Sequence, residues 1–126
     1  GNTATYMQYC YARVQSIFRK GEIDLEQIRA TPDSVILQHS AERLLALTLV
    51  RYAEALDEVL EDYRPNQLTN YLFDLAKRFS SFFEQCPVLQ AEDDAIKLSR
   101  LRLCDLTART IAHGLDLLGI GVVKQM

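Results

Sequence analysis

Two small sets of side chains carry most of the chemistry that this sequence offers. Tyr6, Tyr9 and Arg13 follow one another at i, i+3 and i+7, and Arg78 stands seven residues after Tyr71. On a helix each set runs along one line of the surface. A phenol ring held there can stack on an unpaired base, and a guanidinium beside it can bond a phosphate or a base edge. The same spacing also describes the rim of an ordinary core, with tyrosine hydroxyls in water and arginine stems lying over apolar neighbours. Periodicity thus permits a nucleic-acid site without specifying one.

The remaining reactive residues point away from catalysis. Cys10, Cys86 and Cys104 are an odd set without CxxC spacing, each among apolar neighbours, and read as buried free thiols. His39 and His113 have no HxxxH or HxH partner, which gives little support to a zinc or acid–base role. No carboxylate pair, nucleophile–base set or glycine-rich phosphate loop stands out. The expectation is a chain that binds and needs no cofactor or metal of its own.

Bulk properties set limits. The 126 residues, 48% hydrophobic and 25% charged, suit one globular domain spanning 1–126. Apolar runs are too short for a membrane span, and no basic segment followed by an apolar one opens the chain, so a cytoplasmic location without membrane contact is expected. The formal charge of −3 opposes broad, non-specific nucleic-acid binding, which normally rests on excess Lys and Arg. Recognition of unstacked bases by aromatic rings escapes that objection because it is local.

The elements that must position these residues are helices. A first helix is expected from about Thr5 to Lys20, with Gly21 as its stop and Met7, Cys10, Val14, Ile17 and Phe18 as its core stripe. Tyr6, Tyr9 and Arg13 border that stripe. Glu22 to Ala30 reads as a weak helix or turn, and Ser40 to Asp62 as one long helix or two with a bend, N-capped by Ser40 without a full capping box. Asn66 is the expected cap of a further helix to about Gln85, ended by Cys86-Pro87, with Leu68, Leu72, Leu75, Phe79, Phe82 and Cys86 inside. Tyr71 and Arg78 lie at the edge of that face. If this edge faced the Tyr6–Tyr9–Arg13 edge, the two would form an aromatic, locally positive groove. A last helix is expected from about Glu92 to Leu118, ahead of Gly119 and a non-helical tail. With almost no period-2 pattern, the fold class is all-α, a bundle of four or five helices.

Three ordered blocks resemble a known family. Gly1-Asn2-Thr3 with Tyr6-Met7-Gln8-Tyr9-Cys10-Tyr11-Ala12-Arg13 is similar to the opening of the DALR-type anticodon-binding domain of arginyl-tRNA synthetases. Arg64-Pro65 through Asn70-Tyr71-Leu72-Phe73-Asp74-Leu75-Ala76, with Phe79-Ser80, resembles that domain's central helix, and Gly114-Leu115-Asp116-Leu117-Leu118-Gly119-Ile120 running to Met126 resembles its end. The resemblance implies a helical bundle that receives the anticodon stem-loop of arginine tRNA, with Tyr6, Tyr9, Arg13, Tyr71 and Met126 as contacts. Arg78 is added from the helical wheel alone. The family often carries histidine where Tyr11 stands, so that contact does not transfer. HIGH- and KMSKS-like signatures are missing, and the resemblance then implies that ligation of arginine with ATP and magnesium belongs to a catalytic domain elsewhere in the parent polypeptide. Competing readings are a helical protein-interaction module and the related domain of another class I synthetase, such as the cysteinyl enzyme. On this reading Tyr71→Ala should keep the fold and weaken binding by about 1–3 kcal/mol.

Overall fold

A computed structural model describes residues 2–31, 35–62 and 64–122. Its elements are α1 (Asn2–Lys20), α2 (Leu25–Ala30), α3 (Ser40–Val50), α4 (Tyr52–Asp62), α5 (Pro65–Gln85) and α6 (Asp94–Leu117), with no strand among the described residues. The fold is an all-α bundle of five longer helices and the six-residue α2. The stretch from Ser40 onward is two helices rather than one. Arg51 closes α3 in a helical conformation, and its N–H bonds back to the Thr48 carbonyl at 3.3 Å.

The expected core stripes are buried as such. Met7, Cys10, Val14, Ile17 and Phe18 of α1 meet Leu68, Leu72, Leu75, Phe79 and Phe82 of α5, and α6 contributes Leu101, Leu103, Cys104, Ala108, Ile111 and Leu115. α5 is the hub, packed on α1, α3, α4 and α6. Gly114 lets α6 approach it: a Cβ there would lie 2.6 Å from Leu72 Cδ1.

Two caps differ from the sequence reading. α3 is capped by His39, whose Nδ1 accepts from Ala41 N at 2.9 Å while Glu42 Oε1 accepts from His39 N at 2.8 Å. This is a full capping box one residue earlier than Ser40, with an imidazole in the place usually held by a hydroxyl. α5 begins with Pro65 in its first turn and Arg64 as N-cap, without a side-chain cap bond, so Asn66 is already helical. Proline suits that place because its missing N–H would find no helical partner there.

Buried charge holds the α2–α3 connection onto α6. Glu42 is fully buried and pairs with Arg100 at 3.2 Å; Asp105 takes two bonds from Arg29, at 2.8 and 3.0 Å. Ser99 Oγ accepts from Ile36 N at 2.7 Å and donates to Ile36 O at 3.2 Å, and Arg102 donates to Thr31 O at 2.6 Å. Paired in this way, the carboxylates avoid the large penalty of a lone buried charge. At the other end of α6, Gly119 turns the chain at φ +76, with Gly119 N on Asp116 O at 3.0 Å and Ile120 N on Leu115 O at 2.8 Å. That pattern is a Schellman cap. It directs the tail back to α1, where Gln8 Nε2 donates to Gly121 O at 2.8 Å.

Candidate nucleic-acid interface

The Tyr6–Tyr9–Arg13 line lies where α1 runs beside α5. Tyr6 is within reach of Phe73 and Ser80, and Arg13 of Phe83, so residue numbers rise together and the two helices are parallel. Between them and the α5–α6 connection opens a groove of about 950 Å³. Each of the three predicted α1 residues lines it, but they are held differently. The Tyr6 hydroxyl bonds Ser80 Oγ at 3.1 Å and its ring leans on Phe73 at 5.2 Å, which makes it a fixed wall. Tyr9 is 56% exposed, which leaves its ring open to solvent. The Arg13 guanidinium sits 5.3 Å from the centre of the Phe83 ring, a cation–π contact that orients it without consuming its hydrogen-bond donors.

Phe83 was missed in the sequence. It is 37% exposed and stacks on buried Phe79 at 6.2 Å, so a firm apolar base supports a ring that solvent can reach. Only the phenylalanines counted as core in the helical wheel suggested its neighbourhood. Arg19 and Lys20, in the last turn of α1 where cations suit the helix dipole, were missed too. Both line the groove, and none of the described residues around it carries a carboxylate. The whole of α1 has three cations and no acid, whereas α4 has five acids, Glu54, Asp57, Glu58, Glu61 and Asp62, and no cation. The formal charge of −3 therefore conceals two regions of opposite sign.

Tyr71 and Arg78 lie on the other edge of α5. At 100° per residue they fall about 160° from Phe73 and Ser80, so the edge that meets α1 is not theirs. The Tyr71 hydroxyl donates to Thr48 O at 2.6 Å, and its ring packs on Tyr52 at 5.6 Å. Tyr52 in turn shares a 2.6 Å bond with His113 Nδ1. Burial pushes the phenols of Tyr71 and Tyr52 above their ordinary range. Arg78 pairs with Asp74 at 3.4 Å and borders a shallow hollow beside α3, with Leu44, Lys77 and Ser81. The groove that would unite all five residues thus does not form. Met126 lies outside the described residues.

The cysteines are free and buried. Burial raises the Cys10 thiol to about 12, and Cys104 and Cys86 move the same way, which keeps all three protonated and unreactive at neutral pH.

By geometry this is a helical bundle that presents an open groove with aromatic and cationic walls. The chain belongs to the DALR anticodon-binding domain family, whose model matches residues 7–126. It is 50% identical over its full length to part of the arginine-tRNA ligase of Cyanothece sp., covering 21% of that protein, and 49% identical to part of the Escherichia coli ligase, covering 22%. The solved arginyl-tRNA synthetase of Thermus thermophilus matches 100% of the chain with 21% of its own, at TM-score 0.83 and 34% identity. The chain therefore spans about a fifth of the length of the relatives it matches.

Proposed function

We propose that the chain is the tRNA-recognition domain of an arginine-tRNA ligase and that it receives the anticodon stem-loop in the α1–α5 groove. The observation that carries this reading is the groove itself, in which exposed Tyr9, Phe83 and oriented Arg13 share a carboxylate-free wall. Unstacked bases would lie on the Tyr9 and Phe83 rings, while Arg13 reaches a phosphate or base edge. Tyr6 shapes the wall. Tyr71 and Arg78 would stand outside the RNA path, with Tyr71 holding α5 against α3 and α4, and Met126 would add an adaptable apolar contact at the end of the tail. Arginine activation with ATP and magnesium, in a cytoplasmic ligase, would fall to a catalytic domain of the longer polypeptide. This domain would supply binding energy and orient the tRNA toward it.

Family membership and the arginine enzymes among its relatives favour this reading over the cysteinyl alternative. Fluorescence anisotropy with a labelled anticodon stem-loop tests it. The arginine stem-loop should bind more tightly than a cysteine one, and its affinity should fall steeply with salt as counterions are retained by the RNA. Equal affinity for both, or salt-independent binding, would remove the reading and favour an apolar protein-docking groove.

A further inference from the structure

The groove continues beyond its aromatic part. From Tyr9 to Lys20 it follows α1 for roughly 16 Å at 1.5 Å per residue, past Arg13 and Ser16 to Arg19 and Lys20. The aromatic residues Tyr6, Tyr9, Phe79 and Phe83 stand at one end, and the other is bounded by Pro87, Val88, Leu89 and Gln90. The cationic end has no ring on which a base could stack. Its wall is set by close packing, because a Cβ on Gly21 would lie 2.5 Å from Leu89 Cδ2, leaving the connection tight against the end of α1. Helix-dipole complementarity explains why cations stand at this C-terminus. It does not explain why, among the described residues, the two further elements that border the same space contribute no carboxylate to it in a chain with more acids than bases.

We infer that the Arg19–Lys20 end of the groove is a phosphate site for the paired stem of the bound RNA, distinct from the base-stacking end at Tyr9 and Phe83. The inference rests on the RNA reading of the groove. The separation decides which part of the RNA is meant. Sixteen ångströms is roughly five steps of a strand stacked at 3.4 Å per nucleotide. Measured from the middle of a short hairpin loop, that distance reaches the stem. Stem bases are paired and their edges turned inward, so the groups within reach are phosphates and sugars, for which cationic side chains are suited and rings are not.

The test uses the 126-residue chain with two probes, a synthetic arginine-tRNA anticodon stem-loop and an unpaired oligonucleotide carrying the loop sequence alone. The double variant Arg19→Gln/Lys20→Gln should bind the stem-loop about tenfold more weakly, and its slope of log affinity against log salt should shrink by roughly 1.5, the loss of two phosphate contacts. Its affinity for the loop oligonucleotide and its melting temperature should match the parent, and Arg19→Lys with Lys20→Arg should restore the slope. Tyr9→Ala should weaken both probes with the slope unchanged. If Tyr9→Ala weakens binding while the double variant leaves the stem-loop slope intact, the phosphate site is overturned and the groove reading stands. Equal loss on both probes also overturns it, since the cations would then serve the loop. If neither variant alters binding, the groove reading itself falls, and the phosphate site with it.

Discussion

The two edges of α5 carry similar residues and put them to opposite uses. On one edge Tyr71 is enclosed, with its hydroxyl on Thr48 O and its ring against Tyr52, beside an α4 that has five acids. On the other, Phe83 and the neighbouring Tyr9 of α1 face solvent beside a helix that has three cations and no acid. Residue type does not separate them. What does is whether a neighbouring backbone has satisfied the polar group and covered the ring. A closed tyrosine contributes to stability, and an open one leaves its ring accessible to solvent.

The largest expected effect is on the closed edge. Tyr71→Ala removes a ring packed against Tyr52 and the donor to Thr48 O, and should lower unfolding free energy by about 2–4 kcal/mol in urea denaturation. This revises the expectation that the substitution leaves the fold intact. A loss below about 0.5 kcal/mol would show that the edge is not closed in solution. Next comes the open edge. Tyr9→Ala should shift stability by less than about 0.5 kcal/mol yet weaken stem-loop binding by about 1–3 kcal/mol. A large fall in melting temperature with unchanged binding would reverse the assignment of the two edges.

Much of this was legible in the sequence, and the limits have physical causes. The core stripes of α1 and α5 followed from 3.6-residue periodicity because each stripe is wide and uninterrupted, and Cys86-Pro87 and Gly119 marked helix ends through their backbone restrictions. Tyr6, Tyr9 and Arg13 could be placed on one line for the same reason. A helical wheel, however, assigns margins to a helix without naming the neighbour that each margin meets. That choice depends on how the helices are ordered around α5, a long-range property, and so the facing of the Tyr71–Arg78 margin and α1 could be stated only as a condition, which the structure does not meet. Phe83 gave no signal of its own because an aromatic at a helix margin is covered or open according to the next element, here the connection after Cys86. Charge segregation between α1 and α4 was present in the letters but hidden by the net value of −3.

A smaller effect distinguishes the edges by pH. The Tyr71 phenol is raised above its ordinary value of 10.0, first by burial and then by Tyr52 and Asp74. A group whose folded value is raised contributes stability that is fully present below its unfolded value and is lost as pH rises toward the folded one. Stability should therefore fall above about pH 10. Tyr71→Phe should lower stability by about 1 kcal/mol at neutral pH through the lost hydrogen bond and flatten part of that alkaline decline. The buried Cys10 thiol, raised from 9.0 to about 12, acts in the same direction from pH 9 upward. A chemical-denaturation series from pH 8 to 11 on both proteins checks the sign, and identical slopes would remove Tyr71 from the account.

The smallest effect concerns the two charged regions. Asp57→Lys with Glu58→Lys reverses exposed charges on α4, which packs on α3 and α5 on the Tyr71 side. Between them and the groove lies at least the width of α5, about 10–12 Å with its side chains. At physiological ionic strength the Debye length is about 8 Å, so most of their field is screened before it reaches bound RNA. The double reversal should tighten stem-loop binding by less than about 0.5 kcal/mol at 0.15 M salt and by more at 0.01 M, where the Debye length is about 30 Å. By contrast, Ser16→Glu places a single carboxylate inside the groove and should weaken binding more at 0.15 M than the double reversal strengthens it. If four units of charge on α4 outweigh one in the groove at 0.15 M, the RNA lies across both sides of α5, and the separation of the two edges into a stabilising one and a binding one is wrong.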